Sequence, residues 1–257
     1  MAFVEPGDEV ILMEPVFDFH NPLGKVFTKD ELLSIGNLCV TNGLVILSDE
    51  VYERIHFTPS FTRIATLNDT IAANTLTVGS IGKLFNATGW RLGFTIGRQH
   101  LIEAVQYAHT LLCYTTAGPA QEAAAYGLKE AEHNGFWENN KNEVEGKMLR
   151  FCEVLDELGL PYVKPAGAYF VFVRIDKITL PSNYTFPESV SSKTRDYRVC
   201  WFLIQEYGVS SIPGSAFYCK KDAHIGQDYL RFGVCKSDDA LELAKSRLRG
   251  LKELLKK

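Results

Sequence analysis

The sequence predicts an α/β protein whose first part builds a largely parallel sheet and whose second part is a smaller α+β unit. Two observations support this prediction. In the first part, short apolar runs alternate with helical patterns, and such alternation favours parallel strands joined by helices. In the second part, long helical patterns surround a separate group of strands. We place the domains at residues 1–135 and 136–257.

Three apolar runs in the first part predict strands. They cover residues 9–14, 44–47 and 75–78, and each is bounded by turn-forming or polar residues. We expect the run at 44–47 to be a buried strand that ends in carboxylates, the first of which is Asp49. Lys83 follows the run at 75–78. Ligands in such sheets bind beyond the carboxyl ends of the strands, so Asp49 and Lys83 are candidate site residues.

Thr28 and Glu31 predict the start of a helix. Their spacing forms a capping box, in which each side chain accepts a hydrogen bond from a free backbone N–H of the first turn. Apolar residues follow at helical spacing, and Gly43 provides the stop.

The second part contains two strong helical patterns. Val144, Met148, Cys152 and Leu155 share one predicted helix face. A last helix begins after Ser237 and ends in lysines, which suit the negative end of its dipole. Further strands are predicted at 168–175, 209–212 and 229–235, and a polar surface excursion at 176–196.

Composition excludes several classes of function. The chain has 257 residues and a formal charge of −4, and no basic stripe marks a nucleic-acid partner. No apolar run approaches the roughly 20 residues that span a bilayer, so we expect no membrane partner. Six cysteines lie without metal-ligand spacing, so we expect no metal and, for most of them, buried reduced thiols. A reducing, cytoplasmic location fits best, with a mitochondrial one as the alternative.

Four charged side chains are candidates for chemistry. Lys83 lies among glycines and hydroxyls, where an amine can form a Schiff base; a solvated loop lysine is the alternative. Asp49 could cap the next element or pair with a protonated pyridine nitrogen. Arg91 suits a phosphate, or is a surface arginine. Arg231, within an apolar strand, needs an anion such as a substrate carboxylate, or a route to water.

Lys83 does not belong to a nucleotide-binding loop. A Walker A loop requires glycine at position 77 and serine or threonine at 84, and Thr77 and Leu84 stand there. The companion motifs of penicillin-binding enzymes are also absent.

Five segments, taken in order, resemble those of the class I aminotransferases, which are fold-type I enzymes that use pyridoxal 5′-phosphate. The segments are Asn-Pro-Leu-Gly-Lys at 21–25, Ser-Asp-Glu-Val-Tyr-Glu at 48–53, Ser-Ile-Gly-Lys at 80–83, Thr-Gly-Trp-Arg-Leu-Gly at 88–93 and Leu-Arg-Phe at 230–232. Residues 1–10 and 20–27 are most similar to the kynurenine aminotransferase subgroup, which includes glutamine transaminase K and cysteine-S-conjugate β-lyase. The resemblance implies transamination of kynurenine, glutamine, an aromatic or a sulfur amino acid with a 2-oxo acid.

The resemblance also implies a role for each matching residue. Lys83 would form the Schiff base and move the proton at the substrate Cα, Asp49 would pair with the pyridinium nitrogen, and Phe17 would stack on the ring. The remaining implied contacts are Asn21 and Tyr52 to the ring 3-oxygen, Ser80 and Arg91 to the phosphate, and Arg231 to the substrate α-carboxylate.

The chain departs from the family pattern in two places. Phe17 and Asn21 are close neighbours here, whereas several dozen residues separate their counterparts in the family. The long N-terminal part of the family is also missing. The resemblance therefore implies an N-terminally truncated and internally deleted chain with an incomplete large domain, which would form a homodimer if it folds. Two alternatives stay open: an impaired isoform or fragment that acts through protein contacts, and a cysteine-conjugate β-lyase.

Overall fold

The computed structural model describes residues 2–15 and 21–255. The chain forms two compact units, of which the first comprises Met1–Leu12 and Val26–Asn140 and the second Met13–Lys25 and Lys141–Lys257. The division falls within the helix α6 (Phe136–Glu157). The domain boundary at residue 135 stays a prediction.

The first unit contains a three-stranded sheet, formed by β1 (Ile46–Asp49), β2 (Thr75–Ser80) and β3 (Gly93–Ile96) in that order. β1 and β2 are parallel, as predicted, with Ser48 opposite Thr77. β3 runs antiparallel to β2, with Gly79 opposite Phe94.

Five helices accompany this sheet: α1 (Lys29–Thr41), α2 (Asp69–Ala73), α3 (Ile81–Leu84), α4 (Gln99–Leu112) and α5 (Gly118–Ala131). The start of α1 confirms the capping box. The Thr28 hydroxyl accepts from the Glu31 amide at 3.2 Å, and the Glu31 carboxylate accepts from the Thr28 amide at 2.8 Å. Gly43 follows the helix with a φ of +66°, a conformation that glycine adopts without steric cost.

Two strand predictions in the first unit are wrong in part or in full. Residues 9–14 form no strand, and Ile11 and its neighbours Val10 and Leu12 are exposed, because no strand among the described residues pairs with them. β1 begins two residues later than predicted and is not buried on both faces: Leu47 is 68% exposed. β1 lies at the edge of the sheet, and the face that carries Leu47 is exposed. A fully buried strand requires other elements packed against both faces of its sheet.

The second unit contains a four-stranded antiparallel sheet. Its strands are β4 (Tyr162–Val163), β5 (Phe170–Arg174), β6 (Ile212–Pro213) and β7 (Tyr229–Gly233), in the order β4-β5-β7-β6. The predicted strands at 168–175 and 229–235 are confirmed with shorter bounds. The one predicted at 209–212 retains only a two-residue strand that begins at Ile212.

Three further helices follow α6: α7 (Glu188–Ser191), α8 (Arg195–Tyr207) and α9 (Asp238–Arg249). The helix face predicted from Val144, Met148, Cys152 and Leu155 is confirmed, since all four are buried. Ser237 caps α9 by accepting from the Ala240 amide at 3.4 Å. The predicted surface excursion at 176–196 is interrupted by α7 and includes the start of α8.

All six cysteines are free thiols. The expectation that most are buried is wrong, because only Cys152 and Cys200 are; an apolar neighbour in the sequence does not ensure burial. Within residues 2–15 and 21–255, none of the helices combines the length and the apolar composition needed to cross a bilayer.

Candidate active site

The carboxyl ends of β1 and β2 bring four predicted site residues together in the first unit. β1 ends at Asp49, and β2 ends at Ser80, after which α3 carries Lys83. Tyr52 lies in the turn that follows β1 and is 1% exposed. The Lys83 Nζ atom lies 5.4 Å from the centroid of the Tyr52 ring. An amine, a phenol and a carboxyl group therefore occupy one edge of the sheet.

Asp49 is a carboxyl group in a partly buried position. Burial raises its pKa, while a hydrogen bond from the Val51 amide and the positive charge of Lys83 act in the opposite direction. The Val51 nitrogen lies 3.4 Å from Oδ1. A further positive charge beside Asp49 would stabilise its ionised form.

The loop after α3 positions Arg91 at the same edge. The Ile81 amide donates to the Leu92 carbonyl at 3.1 Å, which returns the chain to the end of β2. Gly82 permits this close approach, since a Cβ there would lie 3.0 Å from the Thr88 Cα. Arg91 has a φ of 53°, unusual for a residue with a side chain. Its exposed guanidinium donates to the Thr88 carbonyl at 3.1 Å.

Asn21 and Arg231 meet in the second unit. The Arg231 Nη1 atom donates a hydrogen bond to the Asn21 Oδ1 atom. The guanidinium carbon lies 4.0 Å from the centroid of the Phe170 ring and 4.9 Å from that of Phe217. Because both rings are buried, they hold the arginine within an otherwise apolar strand.

The segment that carries Asn21 is anchored to the turn before β5. The Ala166 amide donates to the Gly24 carbonyl at 2.8 Å. Gly24 has a φ of +66°, and a Cβ there would lie 2.9 Å from the Gly167 carbonyl oxygen. Only glycine fits this contact, so Asn-Pro-Leu-Gly at 21–24 is a packing motif as well as a candidate binding motif.

The predicted site residues thus form two described groups. Asp49, Tyr52, Ser80, Lys83 and Arg91 lie in the first unit, and Asn21 and Arg231 in the second. Phe17 lies outside the described residues. The role assigned to each residue stays a prediction.

Sequence reasoning missed the two rings that enclose Arg231. Phe170 lies on the neighbouring strand, and its place in a predicted strand beside that of Arg231 could have indicated a contact. Phe217 belongs to a short 3₁₀ turn, Gly214–Phe217, and no sequence pattern singled it out.

Glu14, Cys219 and Asp222 form a small polar cluster in the second unit. The Cys219 amide donates to the Glu14 carboxylate at 2.6 Å, and the Cys219 thiol donates to the Asp222 carboxylate at 3.2 Å. The hydrogen bond to Asp222 raises the thiol pKa, so the cluster favours a protonated cysteine rather than a thiolate ligand.

The sequence is similar to several curated proteins that are named kynurenine–oxoglutarate transaminases. The chain is 46% identical, over 92% of its length, to a Saccharomyces cerevisiae protein described as a probable kynurenine–oxoglutarate transaminase, BNA3, and covers 53% of that protein. It is 33% identical, over 98% of its length, to the kynurenine–oxoglutarate transaminase of Dictyostelium discoideum and covers 58% of it. The chain therefore spans about half the length of the curated relatives it matches.

Comparison of the structure with solved structures identifies one of the same proteins. The crystal structure of Bna3p from Saccharomyces cerevisiae superposes with a TM-score of 0.88 at 46% identity, over 92% of this chain and 56% of that one. The family model described as aminotransferase class I and II matches residues 2–248. This chain belongs to the class I and II aminotransferases, and its α/β fold is an incomplete version of theirs.

Proposed function

We propose that this chain carries the chemistry of a pyridoxal phosphate-dependent aminotransferase, which moves an amino group from an amino acid to a 2-oxo acid. The observation that supports it best is the placement of Lys83 beside Tyr52, at the edge of the sheet where Asp49 ends β1. Because the related proteins are named kynurenine–oxoglutarate transaminases, kynurenine and 2-oxoglutarate are the proposed substrates.

The residues of the first unit fit pyridoxal phosphate. A protonated ring nitrogen would offset the burial that raises the pKa of Asp49. Ser80 and Arg91 offer a hydroxyl and a guanidinium for a phosphate, and Gly82 keeps their two segments close. When bound, the cofactor supplies an electron-withdrawing ring that stabilises negative charge at the substrate Cα.

Lys83 has two proposed tasks. Its amine would hold the cofactor aldehyde, and it would then carry the proton that leaves the substrate Cα. Tyr52, which is buried next to Lys83, would hold the ring 3-oxygen through its hydroxyl.

Arg231 would bind the substrate α-carboxylate. Phe170 and Phe217 lie close to its guanidinium, so the in-plane N–H groups are the ones that meet a planar carboxylate. The hydrogen bond from Arg231 occupies the Asn21 oxygen and orients the amide. The Asn21 amide nitrogen is then the proposed donor to the ring 3-oxygen.

The first experiment tests cofactor binding. We expect purified chain mixed with pyridoxal phosphate to develop a visible absorbance band, and borohydride reduction followed by peptide mapping to locate the cofactor on Lys83. Lys83→Ala should abolish both signals, whereas Lys129→Ala, which changes an exposed lysine of α5, should leave them unchanged. A band that persists in Lys83→Ala, or no band in the wild-type chain, would contradict the proposal.

The second experiment distinguishes the reactions. Incubation with kynurenine and 2-oxoglutarate should produce glutamate, and glutamine and aspartate serve as competing donors. Release of ammonia from a cysteine S-conjugate without any 2-oxo acid would instead assign the β-lyase alternative.

A homodimer is the proposed assembly, and the apolar face of α4 supports it. Tyr107, Leu111 and Leu112 are exposed beside a groove of about 450 Å³, and Leu111 is 88% exposed. Exposed apolar patches of this kind are typical of contact surfaces. Light scattering should show a dimer that Leu111→Lys dissociates and the control Gln106→Lys does not. A dimer that binds no pyridoxal phosphate would favour the alternative function, through protein contacts.

A further inference from the structure

A cavity of about 320 Å³ lies against the sheet of the first unit. Its apolar wall includes Gly79 of β2 and the side chains of Phe94 and Ile96 from β3, with Ala65 from the segment before α2. Its polar wall includes Glu50. Cavities of this size, mostly apolar with a few polar groups, are typical of small-molecule sites.

The cavity and Asp49 lie on opposite faces of the sheet. Successive side chains of a strand point to opposite faces, and the Glu50 amide still pairs with the Val78 carbonyl at 2.9 Å, so the ladder continues past Asp49. Glu50 points to the same side as Ser48, whose hydroxyl donates to its Oε1 atom at 3.0 Å. The proposed aminotransferase residues do not use this cavity.

One carboxylate oxygen of Glu50 accepts hydrogen bonds, whereas the other has only a long ion pair with Arg63. Its side chain is 2% exposed, and its Oε1 atom also accepts from the Ile64 amide at 3.3 Å. Its Oε2 atom is buried without a hydrogen-bond partner among the described residues. A buried polar atom left without a hydrogen bond is unfavourable, and a ligand that donates a hydrogen bond to it would remove this cost.

The charges around the cavity favour a positive ligand. The Arg63 Nε atom donates to the Glu53 carboxylate at 2.7 Å, and its Nη2 atom contacts the same carboxylate. The Arg63 Nε atom stays 3.8 Å from Glu50 Oε2, beyond hydrogen-bond distance. The Arg63 guanidinium therefore lies between two carboxylates: it donates hydrogen bonds to Glu53 and makes only a longer ion pair with Glu50. One positive charge faces two negative charges.

We propose that this cavity binds a small organic cation, whose ammonium group donates to Glu50 Oε2 and whose apolar body packs against Phe94, Ile96 and Ala65. Such a site is separate from the proposed reaction. The site would select ligands through the negative charge of Glu50 and the apolar surface formed by Phe94, Ile96 and Ala65.

Phenethylamine is a suitable probe, because it joins an ammonium group to an apolar ring. Calorimetric titration of the full chain, without added pyridoxal phosphate, should show saturable binding. The uncharged analogue 2-phenylethanol should bind about tenfold more weakly, because a neutral hydroxyl gains less from a buried carboxylate than an ammonium group does. Equal binding of the two compounds would overturn the proposal.

Two variants locate the binding. Glu50→Gln keeps an oxygen for Ser48 and Ile64 but removes the charge, and should weaken phenethylamine about tenfold. Glu122→Gln, which changes an exposed acid of α5, is the matched control and should have no effect. Equal weakening by both variants would show that only net charge matters and would overturn the proposal.

A third variant fills the cavity from another wall. Ala65→Leu leaves the Glu50 side chain intact and should abolish binding, with circular dichroism used to verify the fold of each variant. Unchanged affinity in folded Ala65→Leu would place phenethylamine elsewhere and overturn the assignment.

Discussion

Asn21 and Arg231 are 210 residues apart in the sequence, and a hydrogen bond from the arginine Nη1 atom to the asparagine Oδ1 atom joins them in the second unit. Asn21 is buried, and Arg231 lies near the rings of Phe170 and Phe217. The contact links the short segment 21–24 to the central part of the antiparallel sheet. It is the point where a predicted binding residue also contributes to stability.

Asn21→Ala should lower the free energy of unfolding by about 1–3 kcal/mol, because it removes the acceptor of a charged donor. Urea unfolding measures this loss. Asn21→Asp is the informative control, since it keeps an acceptor oxygen and should preserve stability while its charge competes with a substrate carboxylate for Arg231. An Asn21→Ala variant as stable as the wild type would contradict the structural role.

Thr28→Ala should lower the free energy of unfolding by about 1 kcal/mol, because the first turn of α1 loses its side-chain acceptor. Thr28→Ser keeps the hydroxyl and should be close to neutral. Urea midpoints of the three proteins provide the comparison. Equal losses in both variants would indicate that the threonine methyl group, and not the cap, is responsible.

Gly79→Ala should destabilise the first unit by about 1–3 kcal/mol through overpacking. The new Cβ would lie 2.1 Å from Cζ of the Phe94 ring, so the ring must move. In a Phe94→Leu background the same substitution should cost less, and a double-mutant cycle from urea unfolding measures the difference. An unchanged penalty in that background would exclude the ring as its cause.

The free energy of unfolding should fall as the pH rises above 4.5, the ordinary pKa of a glutamate. Burial raises the pKa of Glu50 in the folded chain; Ser48, Ile64 and Arg63 oppose this shift. Between the two values the folded chain binds more protons than the unfolded chain, so folding is favoured at the lower pH. Above the pKa that Glu50 has in the folded chain, this contribution to the free energy of unfolding is completely lost.

Glu50→Gln cannot ionise and should flatten this fall when urea unfolding is measured from pH 4.5 upward. Burial also raises the pKa of Asp49 from its ordinary 3.8, so Asp49→Asn should flatten the fall as well. A Glu50→Gln variant with the wild-type slope would contradict the prediction.

Local patterns predicted the helices well. The starts of α1 and α9 were correct because Thr28 and Ser237 each accept a hydrogen bond from an amide three residues later, and such contacts need no distant partner. The buried face of α6 followed from its spacing for a similar reason: residues three and four apart lie on one side of a helix whatever it packs against.

Strand burial was predicted less well. Residues 9–14 have the composition of a strand, yet they form none, and Leu47 is exposed on β1. A strand forms only where another segment accepts its backbone hydrogen bonds. That partner is a property of the whole fold, so the apolar run alone could not decide the outcome.

The sequence by itself was sufficient to place the chain in its family and to single out Lys83, Asp49 and Arg231, because residue type and order along the chain carry that information. Only the tertiary structure showed that Arg231 donates a hydrogen bond to Asn21, and that one oxygen of Glu50, beside a cavity, has no hydrogen-bond donor among the described residues. Hydrogen-bond partners and empty space depend on which distant segments meet. Burial then determines how much free energy is lost at each polar atom that has no hydrogen-bond partner.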